Sequence, residues 1–166
     1  MKKYELTDET KVVDGHTLHR IKALKDFTIR EHTVREEDEG GWVESEENLS
    51  QEGSCWIFDE GKVYGNAKVI DDALICGSAR IYGDTIVGED ATVSGASKLF
   101  EGCHVFGRAI IGGSATVCGK AEVYGRAIVD NNATVGEYAQ VCERAMVFGD
   151  AQVKGTVVVA GDEIIN

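Results

Sequence analysis

From Ile57 to Ile165 a branched aliphatic residue recurs at every sixth position, nineteen times, with no insertion or deletion. Two positions before it stands a small residue, Ala at twelve of the nineteen slots, with Cys55, Gly61, Thr85, Ser97 and Cys103 among the substitutes. Two positions after it, Gly fills eleven of eighteen slots. Residues two apart on a strand share a face, so the small residue and the aliphatic point inward together and the residue between them points out. Gly then lets the chain bend where other residues are strained. Strands too short to bury themselves, joined by bends and repeated without a break, predict a parallel solenoid.

The Val-x-Gly-x-Ala-x pattern, as in Val63-Tyr-Gly-Asn-Ala-Lys, resembles the hexapeptide repeat of left-handed parallel β-helices. The resemblance implies a triangular prism with three hexads, hence 18 residues, in each coil. The left hand comes from the resemblance, against the right-handed rule for crossovers. Residues 55–166 then make about six coils, a rod on the order of 30 Å long at ~4.8 Å per coil. The fold class is therefore all-β.

Residues 1–54 carry no hexad register and read as a separate capping unit, since a solenoid end exposes unpaired backbone and core. Val12-Val13-Asp14-Gly15-His16-Thr17-Leu18 predicts a hairpin, with Asp-Gly as a type I′ turn. The run Leu18, Ile21, Leu24, Phe27 also fits a short helix. Gly41-Trp42-Val43 looks like a first, irregular coil; Leu49 and Ile57 are eight apart, so two extra residues fall between them. Gly15-His-Thr-Leu-His-Arg-Ile-Lys-Ala-Leu-Lys-Asp-Phe27, Gly40-Gly-Trp-Val-Glu-Ser-Glu-Glu-Asn-Leu-Ser-Gln-Glu-Gly53 and Val63-Tyr-Gly-Asn-Ala-Lys-Val69 together resemble YdcK-like hexapeptide-repeat proteins. That resemblance implies fold and an origin in phages or prophages rather than an activity.

Charge narrows the partners. With 17 basic and 29 acidic residues the net charge is −12, which disfavours contact with nucleic acid or an anionic membrane. No apolar run is long enough to span a bilayer, and the N-terminus has no apolar signal core, so the expected location is the cytoplasm, that of the host cell if the chain is phage-encoded. Twenty Gly and no Pro suit ladders that need every N–H.

Catalytic chemistry is sparse. Hexapeptide acyltransferases, which the repeat resembles, act through a His near an intersubunit cleft, often with a loop thrown out of the prism. Here no loop interrupts 55–166 and the repeat holds one His, His104, on an outer wall. A general base needs an orienting partner; Glu122, 18 residues on, is the candidate. The three-His zinc site of carbonic anhydrases with this fold has no counterpart. His16 and His19, three apart, point to opposite strand faces, and the five Cys show no CxxC, so neither a metal nor a cofactor is expected.

Sorting outward residues by steps of 18 gives three walls. One carries Trp56, Leu74, Thr92, Ile110, Ile128, Met146 and Ile164, apolar at six of seven. The second carries Lys62, Arg80 and Lys98 beside an aromatic ladder, Tyr64, Tyr82 and Phe100; Phe106 and Tyr124 stack on the third. An apolar column facing water marks an interface or lies under the N-terminal unit. It predicts self-association, as dimer or trimer, or a protein partner.

Glu36, Glu37, Asp38, Glu39, Glu44, Glu46 and Glu47 crowd seven carboxylates into twelve residues, either a solvated cap loop or a patch that fills a basic groove on another protein. The favoured expectation is a non-enzymatic interaction module, with a phage-borne inhibitor of a host-defence nuclease complex as its narrower form. An acyl-CoA-dependent acyltransferase and a polymer-forming structural protein are the alternatives. Glu163 in an inward small slot suggests a frayed last coil or one that blocks stacking.

Overall fold

The computed structural model describes residues 1–166 and has no α-helix. Five strands come first: β1 (Tyr4–Val13), β2 (His16–Ala23), β3 (Phe27–Ile29), β4 (His32–Val34) and β5 (Glu39–Val43). A 3₁₀ turn at Glu46–Asn48 and nineteen two-residue strands follow, from Trp56–Ile57 to Ile164–Ile165. The short strands stack 18 residues apart: Arg80 lies between Lys62 and Lys98, Ile128 between Ile110 and Met146. Three parallel sheets result, and the chain is a left-handed parallel β-helix of about seven turns.

Hexad register begins at Cys55, but strand pairing begins earlier. β5 runs parallel to the Lys62–Val63 strand, with Trp42 beside Lys62 and Val43 beside Val63, and Leu49 bridges to Val69. These pairs are 20 residues apart, so two more residues than in later coils are taken up between Leu49 and Trp56. The repeating aliphatics from Ile57 to Val159 are all buried, and Ile165 is half-exposed at the far end.

Corners account for the remaining slots. The residue two places after each inward aliphatic has φ between 52° and 73° at all eighteen positions from Asp59 to Gly161. Eleven are Gly, for which this conformation is free of Cβ strain. The other seven are Asp59, Asp71, Glu89, Glu101, Asn131, Glu137 and Glu143. Each accepts, through its side chain, a hydrogen bond from the backbone N–H of the residue 18 further on. The acidic composition of the repeat is thus partly structural: carboxylates occupy corners and hold the next coil.

The N-terminal unit closes one end. β1 and β2 form the hairpin through Asp14 (φ 51°) and Gly15 (φ 81°), both left-handed as a type I′ turn requires. β2 then pairs antiparallel with β5, extending one prism wall past its first coil. The alternative short helix across Leu18–Phe27 does not form. Leu18 packs outside the prism with Trp42 and Tyr64, while Ile21 and Ala23 join the main core. A strand buried on both faces produces a spacing of three that mimics a helix. Gly40 permits the close approach: a Cβ there would lie 2.7 Å from both Ile21 Cγ1 and the Ile57 carbonyl oxygen. At the opposite end Val157, Val158 and Ile164 are exposed, and so is Glu163, whose carbonyl still accepts from Met146 N–H at 2.9 Å.

Candidate functional site

The wall that reads as apolar is divided in two. Its first rungs, Trp56 and Leu74, point out of the prism yet are only 1% and 5% exposed. β3 and β4, paired as a separate small hairpin, lie over them. Phe27 meets Trp56 edge-on at 5.3 Å, Tyr4 meets it at 6.2 Å, and Ile29 and Val34 are buried in the same cluster. Trp56 and Leu74 therefore leave the expected association face, because the chain's own hairpin already covers them. Ile110 and Ile164 are 43% and 62% exposed, and Ile128 and Met146 are half-exposed between them.

The hairpin is fastened at its tip. Arg30, with φ 54°, hydrogen-bonds through its guanidinium to the Asp90 carbonyl, the Thr92 hydroxyl and the Ala91 carbonyl, the last at 3.2 Å. Below it Arg30, Asp90, Thr92, Arg108 and Ile110 line one shallow depression. Arg108 belongs to a column that sorting by walls missed, because it sits at a corner and not at the centre of a strand. Stepping by 18 along that corner gives Asp72, Asp90, Arg108, Arg126, Arg144 and Asp162. Arg108 Nε lies 3.8 Å from Asp90, and Arg144 pairs with Asp162 at 2.8 Å. Arg126, between them and exposed, has no carboxylate within 4 Å.

The second wall carries the aromatic ladder. Tyr64 and Tyr82 stack at 5.1 Å with planes 5° apart, and Tyr82 and Phe100 at 5.3 Å. The tip of the β1–β2 hairpin folds onto it: Tyr64 OH donates to Asp14 at 2.8 Å, Arg80 pairs with Asp14, and His16 packs 5.0 Å from the Tyr64 ring. Burial, with the Asp14 carboxylate beside it, pushes the Tyr64 phenol up to about 12. The ladder's N-terminal end is therefore built into the cap. Phe106 and Tyr124 stack at 5.0 Å on the third wall.

His104 stands exposed on that third wall, in register with Ile86 and Glu122. Asp84, Gly102, His104, Lys120 and Glu122 line an open groove. Glu122 accepts from Gln140 Nε2 at 3.4 Å and makes no hydrogen bond to His104, so the expected orienting contact is absent.

The acidic run is used in several ways. Glu44 accepts from His16 Nδ1 at 3.0 Å and from Gly65 N–H at 2.7 Å, and the His16 contact chiefly holds its carboxyl below the usual range. Glu46 pairs with Lys2 at 2.7 Å, Glu37 with Lys22 at 3.1 Å, and Asp38 accepts from Arg35 N–H at 2.8 Å. Glu36, Glu39 and Glu47 are exposed.

No protein-family profile matches the chain. Over 88 residues, 48% of its length, it is 33% identical to a protein of Escherichia coli (strain K12) described as the uncharacterized acetyltransferase YdcK. The match covers 26% of that protein, so the chain spans about a quarter of the relative's length.

Proposed function

We propose that this chain is a protein-interaction module that binds through the open half of its apolar wall. The observation that carries the reading is the abrupt change along one column: Trp56 and Leu74 lie under a hairpin, whereas Ile110 to Ile164 continue the same apolar surface uncovered. Exposed contiguous apolar surface on a rigid scaffold is a docking feature. Two-residue strands with corners fixed by Gly or carboxylate hold the wall flat and leave it little freedom to collapse.

The test compares wild-type protein with Ile110→Arg plus Ile128→Arg. Light scattering gives the mass of each, and affinity capture from cells that make the chain gives its partners. The reading expects a stoichiometric partner, either another protein or a second copy, that the double variant loses while unfolding at an unchanged temperature. Identical masses and identical captured proteins would sink it.

The likeness to a protein described as an acetyltransferase favours a second reading, an acyltransferase acting at the His104 groove. It expects acetyl-CoA to raise the melting temperature, since a ligand that binds only the folded state stabilises it. His104→Ala would abolish acetyl transfer. No shift at millimolar acetyl-CoA removes this reading.

A further inference from the structure

The β3–β4 hairpin covers the first half of the apolar wall, over Trp56 and Leu74. Along the corner beside that wall the covered half is acidic, Asp72 and Asp90, and the basic tip residue Arg30 of the hairpin is seated there. Where the hairpin ends, the corner reverses sign to Arg108, Arg126 and Arg144. Successive rungs lie roughly 4.8 Å apart along the rod, and like charges on neighbouring rungs are mutually unfavourable; Arg108 leans to Asp90 and Arg144 to Asp162, leaving Arg126 between them. Arg126 receives no carboxylate from within the chain to offset this.

A second copy fits poorly by either two-fold arrangement. With rods parallel, Arg126 would face the other copy's Asp130, which stands on the far edge of the same rung. The two β3–β4 hairpins would then meet head-on, each a layer about 10 Å thick, and hold the open halves apart. With rods antiparallel the hairpins pass one another, but Arg126 faces arginines and Asp130 faces Asp130. A separate segment, one layer thick, meets neither obstacle.

Resting on the interaction-module reading, we propose that the open half-wall receives an extended segment of another protein. That segment is apolar on the face laid against Ile110, Ile128 and Met146, and carries carboxylates along the edge that meets Arg108, Arg126 and Arg144. The own hairpin shows the layout of such a segment: Phe27, Ile29 and Val34 lie on the wall, and Arg30 at the edge bonds the Asp90 and Ala91 carbonyls and the Thr92 hydroxyl, near enough to Asp72 to help hold its carboxyl below the usual range. Arg suits the edge because its planar fork binds carboxylate bidentately.

The test pans a random linear-peptide display library against the full-length protein at low salt, with Arg126→Glu and Ile128→Arg as parallel baits. Enriched peptides are expected to alternate apolar residues with at least two Asp or Glu. They should bind about tenfold or more weakly to Arg126→Glu, fail on Ile128→Arg, and weaken as salt rises. Peptides lost on Ile128→Arg but without acidic bias, or indifferent to Arg126→Glu, overturn this proposal and leave the interaction module standing. Peptides retained on Ile128→Arg, or no enrichment at all, overturn the acidic segment, while the comparison of masses and captured proteins decides the interaction module separately. A wild-type dimer mass that Ile128→Arg reduces to monomer assigns the wall to a second copy and overturns the acidic segment. Arg126→Gln, which removes charge without reversing it, checks that any loss follows charge and not misfolding.

Discussion

The side chain of Glu89 accepts a hydrogen bond from the backbone N–H of Gly107, one coil later, at 2.8 Å, while its own φ is 52°. The left-handed conformation costs an L-residue roughly 1–2 kcal/mol, so a carboxylate at this corner needs a compensating contact. Without the clamp, the corner N–H of the next coil has only water. Glu89→Gly removes both strain and clamp and is expected to change stability by less than about 0.5 kcal/mol. Glu89→Ala keeps the strain and loses the clamp, and is expected to cost about 1–2 kcal/mol. Urea titration of the two variants separates the contributions; an Ala variant as stable as the Gly variant would show that the corner carries no strain.

Trp56 and Ile128 occupy the same outward column four coils apart at 18 residues each (56, 74, 92, 110 and 128 in sequence), but they differ in what lies above them. Trp56 is enclosed by Phe27 and Tyr4, whereas Ile128 faces outward on the open half. Trp56→Ala is expected to cost about 3–5 kcal/mol and to raise hydrogen exchange throughout β3 and β4. Ile128→Ala is expected to cost less than about 1 kcal/mol. Equal costs would mean that the hairpin does not anchor on the wall.

The solenoid was legible because its signal is additive: nineteen slots of one residue class at a fixed step leave one periodic solution. Inward faces followed from the step of six, and the step of 18 that sets register and outward columns came with the resemblance to left-handed β-helices. The N-terminal unit was less legible, because β2 is buried on both faces and loses strict alternation at its irregular pairing with β5. Which outward residues stay exposed was beyond a periodicity argument. Phe27, Ile29 and Val34 look like any short apolar run, and only the path of the chain lays them on Trp56. The arginine column was present at the same step of 18 but falls at a corner, a slot whose direction depends on the turn. The seven polar residues among the corner slots look like lapses from Gly until their bonds to the next coil are seen.

Glu60 predicts an acid limb in stability. Lys11 Nζ donates to it at 2.8 Å and Trp42 Nε1–H at 3.1 Å, with Arg20 close by, and these hold its carboxyl down to about 2 from an ordinary 4.5. A carboxyl depressed on folding contributes stability that is complete above the unfolded value and disappears as pH falls through the folded one. The contribution should thus be lost between about pH 4.5 and 2. Glu60 is about half exposed, so screening limits the effect to about 1 kcal/mol or less. Glu60→Gln is expected to flatten this part of a stability-against-pH curve and leave pH 7 to 9 parallel to wild type. An unchanged acid limb would assign it to other carboxylates.

Asp14 combines two roles that substitution can divide. It occupies the first left-handed position of the type I′ turn, and its carboxylate joins Tyr64 OH and Arg80 to pin the hairpin tip on the aromatic ladder. Asn-Gly is as favourable as Asp-Gly in this turn, so Asp14→Asn preserves the backbone and a neutral acceptor for Tyr64 while removing the charge that faces Arg80. Asp14→Ala removes the acceptor and places a Cβ residue without local hydrogen bonding in the left-handed region. The Asn variant is expected to lose about 0.5–1 kcal/mol, becoming closer to wild type as salt rises. The Ala variant is expected to lose about 2–3 kcal/mol at low salt and to retain most of that loss as salt rises, with faster hydrogen exchange along β1 and β2. If both variants lose the same amount, the pin dominates and the turn is tolerant. If neither loses any, the β1–β2 hairpin is held through the pairing of β2 with β5, and the contact of Asp14 with Tyr64 and Arg80 is incidental to the cap.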